Sequence, residues 1–350
     1  MRDTLEAVLL PLAALAGALL LFGLFVWLGG VSPVETWVLL FRGAFGDSFS
    51  LQNTLQRAAP LMLTALAVAL PAQAGLVVIG GEGALVLGGL AAAALPALLP
   101  LPGGTAGTVC LLLAAAVTGA AWIALAGALR QWRGVNETIS SLLLGYLAIA
   151  LFKHIVEGPL RDPASLNKPS TAPLPESLRI GTVGTWDVHW GLPIGIVLCI
   201  VAALWLAAST HGFATRVVGG NLRAARLVGL PAARLLITAC ALGGAAAGLA
   251  GGIEVTAVHT AANASLIVGL GYTGILVSFV ARHQPLAIIP VAILFGGFLA
   301  AGSLLQRRLG LPDASVQVLM GIAFVLVLAS EALRGRLHLV WRPSPQVAAA

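Results

Sequence analysis

Charge is what this 350-residue sequence has least of: 9% of its residues are Asp, Glu, Lys or Arg, against about 25% in a soluble domain. With 59% hydrophobic residues and a mean hydropathy of +0.99, the chain has too little polar surface to cover a water-soluble globule of this size. Its solvent is lipid, and it is an integral membrane protein. Lysine is rarer still, with Lys153 and Lys168 alone among nineteen basic residues. Neither lies in a GxxxxGK(S/T) pattern, so this chain cannot cradle ATP phosphates through a P-loop. Cysteine is as scarce. Cys110, Cys199 and Cys240 stand far apart inside apolar runs with no CxxC or Cys/His spacing, which argues against a disulfide framework or a metal site. No clustered His/Asp/Glu or nucleophile–base set is visible, so the chain does not read as an enzyme. His259 near Glu254 comes closest, and an interface pair explains it more simply. The net charge of +6 reports basic loops of a membrane protein rather than a nucleic-acid surface.

What is abundant is apolar sequence in lengths that span. About 20 helical residues cross the roughly 30 Å hydrocarbon layer. Candidate spans fall at 7–29, 55–72, 84–100, 106–129, 138–157, 191–209, 233–253, 264–281, 285–303 and 314–333. All must be helical, because open strands leave backbone groups unsatisfied in lipid. The first run, from Glu6 to Gly30, is too long for a signal-peptide core and reads as a retained span. The expected fold is therefore all-α, a polytopic membrane protein of about ten transmembrane helices forming one domain over 1–350.

Arginine placement orients it. An N-terminus in the cytoplasm puts Arg130, Arg133, Arg216, Arg223, Arg226, Arg234, Arg282, Arg334, Arg336 and Arg342 inside, with both termini cytoplasmic. The loop at 158–190 then lies outside. Arg307 and Arg308 break the rule, which is either an exception or a sign that the count slips by one in the last third. Glycine-interrupted segments, 74–90 and 268–285, occupy comparable places in the two halves, the sequence pointer to an inverted repeat and its pathway. Gly244, Gly248 and Gly252, four apart, read instead as close helix packing.

A charge at the centre of a membrane helix costs about 2.5–3.5 kcal/mol, so polar residues inside spans need a cavity, a partner or the interface. Gln73, Glu82, Asn136, Glu137 and Glu254 qualify. Asn136 could equally be an N-cap with Glu137 in its helix's first turn, and Glu254 lies close to the outer boundary. Glu82, set among Gly80, Gly81 and Gly83, is the candidate to face a polar cavity or to brace a broken helix. Within the cytoplasmic loop 210–234, Gly219 and Gly220 interrupt one helix and Asn221 caps the next. Residues 222–228 make two turns, Gly229 stops them and Pro231 begins the next span. A short, capped, cationic helix on the inner face reads as a docking element, with a lipid-surface helix as the alternative.

Four motifs then carry a resemblance: GLVVIGGEG; GVNETISSLLLGYLA followed by EGPLRDP; GGNLRAARLVGL; and GYTGILVSFVARHQPLAIIPVAILFGG. Together the sequence resembles membrane permease subunits of bacterial ABC importers for ribose, nucleosides and branched-chain amino acids, and most nearly the larger permease of BMP-type nucleoside importers. Departures from that pattern are Val78 and Gly145 where the family has Asn, and Ala84 where it has Gln. The resemblance implies half of a nucleoside pathway across the inner membrane, with a sugar or branched-chain amino acid as the alternative solute. A stand-alone ion-coupled transporter is the remote alternative, disfavoured by the lack of ionisable residues deep in several spans. It also implies a second homologous permease, two ABC ATPase subunits carrying ATP and Mg, and an extracytoplasmic binding lipoprotein, with no cofactor on this chain and no nucleic acid. In its terms, Gly220, Asn221, Arg223, Ala224, Ala225, Arg226 and Gly229 build the coupling helix that meets the ATPase. Gln73, Glu82, Asn136, Glu137 and Glu254 line or support the pathway.

Overall fold

The computed structural model describes residues 2–312 and 314–333, so Arg334, Arg336 and Arg342 lie outside the described residues. The described chain is helical, with no strand. In order come α1 (Arg2–Leu28), α2 (Pro33–Phe45), α3 (Ser48–Gln73), α4 (Gly81–Leu98), α5 (Thr105–Arg133), α6 (Glu137–Glu157) and α7 (Gly191–Ala208). After them come α8 (Thr210–Gly220), α9 (Leu222–Leu227), α10 (Ala232–Ile253), α11 (Leu270–Val280), α12 (Pro285–Leu309) and α13 (Ala314–Leu333). Among the described residues seven helices are long and apolar enough to cross a membrane, and shorter apolar stretches occur at Leu12–Leu28, Ala264–Val280 and Ala314–Ser330. These fall where the hydropathy pattern places the ten spans. Two helices escape that pattern: α2, which carries Glu35 and Arg42 in thirteen residues, and α8, which lies within the cationic loop.

Two compact units result. One comprises, among the described residues, 2–40 and those from 302 to 333, where α1 packs along α13 and the Trp37 indole Nε1 donates to Leu19 O at 3.2 Å. The other is Phe41–Ala301 and holds Gln73, Glu82, Asn136, Glu137 and Glu254. At its centre α10 lies against α5, α4 and α3. Glycines set how close these backbones come. Gly244 and Gly248 sit directly on the backbone of α5 at Gly119 and Ala115, Gly88 sits on Gly248, and Gly251 sits on Leu85 O of α4. Small residues at membrane helix crossings gain van der Waals contact where no hydrophobic drive between helices exists.

The segment between α6 and α7 is pinned in place rather than draped. Thr171 N–H donates to Ala262 O at 3.0 Å, Leu174 N–H to Thr260 O at 2.7 Å and Ile180 N–H to Thr256 O at 3.1 Å, while Leu174 and Leu178 are buried. His189 closes the segment. It is buried, and its Nδ1 accepts from Gly191 N–H at 3.1 Å, which requires an unprotonated Nδ1. Burial pushes its pKa below the ordinary histidine value, and His283 is shifted the same way for the same reason. A depressed folded-state pKa gives stability that is present above about pH 6.5 and lost as pH falls below it. Thermal unfolding of the purified protein should therefore be flat above neutrality and drop on acidification. His189→Asn, whose amide oxygen can still accept from Gly191, should lose part of that drop. An unchanged pH profile in the variant would remove His189 from this account.

Candidate functional site

The two interrupted segments meet at Glu82. After α3 ends at Gln73, residues 74–80 leave the helix and turn back before α4 starts at Gly81. In the second half α10 runs into a π-helical stretch, Glu254–His259, and residues 260–269 then lead to α11 through only one short 3₁₀ turn. Gly269, at φ +83°, occupies the N-cap of α11 in a conformation that side-chain-bearing residues rarely adopt. The Glu82 carboxylate sits in the first turn of α4 and reaches that point. Its Oε1 accepts from Gly269 N–H at 2.9 Å and its Oε2 from Gly271 N–H at 2.6 Å, with the residue 1% exposed.

Electrostatics explains the placement. Each helix N-terminus carries roughly half a positive charge. Two such termini meet here, so about one positive charge converges where one carboxylate stands. Four orphan amides begin each helix, and in a water-poor interior they need acceptors. Glu82 supplies two oxygens to α11 while lying at the favourable end of α4. The depth is also fixed by contact. Gly274 packs on Thr64, and Gln73 Nε2 donates to His283 O at 2.9 Å. Both pairs have the same sequence spacing, so α11 runs alongside the second half of α3. Its first turn falls level with Pro60 and Leu61, midway along that 26-residue helix.

The first break is tied from a third side. Thr138 Oγ1 donates to Val77 O at 2.9 Å and Ser141 Oγ accepts from Ile79 N–H at 3.0 Å, both from the first turns of α6. Neither hydroxyl stands out in the sequence by charge or spacing. Their signal was the polar run NETISS opening an apolar helix. Within that run, Asn136 is exposed and caps its own helix, accepting from Thr138 N–H at 2.9 Å and Ile139 N–H at 3.2 Å. Glu137 is buried and pairs with Arg130 Nη1 at 3.1 Å. Glu254 lies apart from Glu82, buried in the π-helical turn with its Oε2 3.5 Å from His259 Nε2. The three family departures are packing positions. Val78 and Ala84 are buried in one apolar cluster with Ile123 and Val218, and Gly145 receives Gly83.

On the other side of the break stands the cationic helix. Asn221 Oδ1 accepts from Ala224 N–H at 3.0 Å to start α9. Leu230 N–H bonds Ala225 O at 3.0 Å, and Gly229 at φ +79° ends it. Gly219 and Gly220 form the last turn of α8, which ends there, and Asn221 stands between it and α9. Ala225 is buried, while Arg223, Ala224 and Arg226 are exposed beside Leu227 at 88% and Val228 at 71% exposure. Gly219 of α8 sits against Gln73 O and Ala74, and Gly75 against Gly219 O, so no side chain separates α8 from the start of the break. Ala225, Val218, Leu76 and Val78 belong to one buried cluster. α9 is thus joined to residues 73–78 by the buried Ala225 cluster and by the backbone contact of α8 at Gly219.

A family model described as branched-chain amino acid transport system / permease component matches residues 50–328. The glucose ABC transporter permease protein TsgB13 of Haloferax volcanii is 32% identical over 92% of this chain and 87% of its own length. The guanosine ABC transporter permease protein NupP of Bacillus subtilis is 27% identical over 95% and 97%. The nucleoside ABC transporter permease protein NupB of Lactococcus lactis subsp. cremoris is 27% identical over 91% and 90%.

Proposed function

The chain belongs to the branched-chain amino acid transport system / permease component family, and we propose that it forms half of an ATP-driven import pathway for nucleosides in the inner membrane. The observation that carries the mechanism is the packed route from α9 through Gly219 to Gln73 and the break at 74–80. ATPase subunits engage the exposed face of α9, and their closure on ATP moves α8 against the end of α3. The break shifts with it, Glu82 keeps α4 and α11 moving as one body, and access alternates between the two sides. With no P-loop in the chain, ATP and Mg belong to the ATPase in trans, and this chain holds no cofactor. A second homologous permease completes the pathway, a binding lipoprotein delivers solute to the outer face, and both termini are cytoplasmic. In this reading Gln73, Glu82 and Glu137 support the pathway, Asn136 holds the helix that clamps the break, and Glu254 faces incoming solute.

Full-length similarity to guanosine and nucleoside permeases supports the solute. The glucose permease, at 32% identity, favours a sugar as the second reading. The test is uptake of labelled nucleosides, glucose and leucine into proteoliposomes holding both permeases, the ATPase and the binding protein, with and without ATP inside. ATP-dependent nucleoside uptake is expected, and uptake of glucose alone would replace the solute. Reversing the charge of the docking face supplies a separate prediction. Arg223→Glu with Arg226→Glu should release the ATPase during co-purification and abolish uptake while leaving thermal unfolding unchanged, because both side chains are exposed. Retention of the ATPase by the double variant would move the docking site elsewhere.

A further inference from the structure

On the side of the Glu82 brace away from α9, a cavity of about 250 Å³ lies between the first half of α3, the π-helical turn and residues 265–270. Asn53, Gln56 and Arg57 stand on the α3 wall, and Glu254 and His259 on the facing wall. Pro60, Val258, Val268 and Leu270 make the rest apolar. Lys168 of the pinned segment reaches its edge, donating to Ser265 Oγ at 2.6 Å, and Gln56 Nε2 donates to Asp187 O. Arg57 Nε donates to Asn53 Oδ1 at 3.2 Å, which orients the guanidinium. Among the described residues no ion pair joins Arg57 to Glu254 across the cavity, although both line it. Arg57 therefore attracts Glu254 only across the gap, and the pairing that Glu254 has lies within its own turn, with His259. The arrangement becomes favourable when a solute edge lies between them.

Resting on the nucleoside reading above, we propose that this cavity receives the base of an oxo-purine nucleoside during import, Arg57 donating to its carbonyl and ring nitrogen and Glu254 accepting from its ring and exocyclic N–H groups. A guanidinium matches the O6/N7 pair of guanine in a bidentate fork, and a carboxylate accepts from amino groups. Asn53 and Gln56 add amide donors and acceptors, and the aliphatic walls cover the ring faces. The volume is somewhat under the roughly 300 Å³ at which ligand pockets begin, so it holds one ring system with the ribose outside.

The test uses the whole transporter in proteoliposomes, measuring labelled guanosine uptake and binding-protein-stimulated ATP hydrolysis side by side. Glu254→Gln and Arg57→Gln should each lower uptake at least about tenfold, the loss of one charge-assisted hydrogen bond, while hydrolysis stays within about twofold. Val268→Trp, at a position 53% exposed and so tolerant of bulk, should do the same by filling the cavity. Arg57→Lys should recover part of the rate, lacking only the fork. Uptake and hydrolysis falling in step would assign these residues to structure and overturn the proposal. Nucleoside import at the wild-type rate in Glu254→Gln, Arg57→Gln and Val268→Trp alike sinks the cavity alone, whereas a wild-type complex importing glucose and no nucleoside sinks the nucleoside reading and the purine assignment together.

Discussion

Replacing Glu82 by Ala should cost about 2–6 kcal/mol of folding stability, because the amides of Gly269 and Gly271 each lose their acceptor at about 1–3 kcal/mol. Domains are stable by only about 5–15 kcal/mol, so the variant should assemble poorly and unfold at a markedly lower temperature in detergent. The loss exceeds the two hydrogen bonds, since two helix N-termini would then face each other with no anion between them. Glu82→Gln separates the contributions. Its amide oxygen can still accept from one glycine, so it should fold better than the alanine variant yet fall short of the native protein. Equal thermal stability of all three proteins would mean that Glu82 holds neither helix. In the membrane the same substitution should impair ATP-dependent uptake, because α4 and α11 would no longer move as one body.

Gly251→Val should be the next most damaging change. A Cβ at Gly251 would fall on Leu85 O and come within 2.8 Å of Gly89 N, and both belong to the backbone of α4. No flexible side-chain end is there to give way, so α4 must lift off α10. Overpacking of this kind costs about 1–3 kcal/mol, and more where only backbone can move. Leu85 stands one turn after Glu82, so lifting α4 also draws the carboxylate from Gly269 and Gly271. Gly321→Ala is the control. Nothing lies within 4 Å of a Cβ there, inside α13, and helix propensity alone should stabilise the protein by about 0.5–1 kcal/mol. Denaturation of the two variants side by side decides the matter: destabilisation of both to the same degree would point to glycine content rather than to the crossing.

Much of this architecture is legible in the sequence because its causes are local. Composition fixes the solvent, apolar run length fixes the spans, and side chains that cap, such as Asn221 before LRAARL, act within three residues of themselves. Asn136 shows the limit even there. Sequence alone allows it to cap α6 or to face a pathway, and only the positions of the Thr138 and Ile139 amides decide for capping. Glu82 is conspicuous as a lone carboxylate in an apolar, glycine-rich run, but its partners lie 187 and 189 residues away. No periodicity reports such a pairing. The π-helical turn at Glu254–His259 is invisible for a different reason: a wider turn of the same helix leaves no compositional trace. α11 presents the same difficulty in reverse. Its 11 residues span about 16 Å, too little to cross alone, yet residues 264–280 together read as one apolar stretch. Positions such as Arg307 and Arg308, which contradict a simple alternation of sides, come after a segment where the chain does not cross as one regular helix.

The central claim is that one carboxylate joins the two interrupted segments, and amide hydrogen exchange measures it directly. In the native protein the Gly269 and Gly271 amides should exchange slowly, as groups bonded to a buried acceptor do. In Glu82→Gln at least one of them should exchange about tenfold faster or more, while the amides in the middle of α3 and α10 keep their protection. Fast exchange at both glycines in the native protein, or protection unchanged by the substitution, would contradict the account.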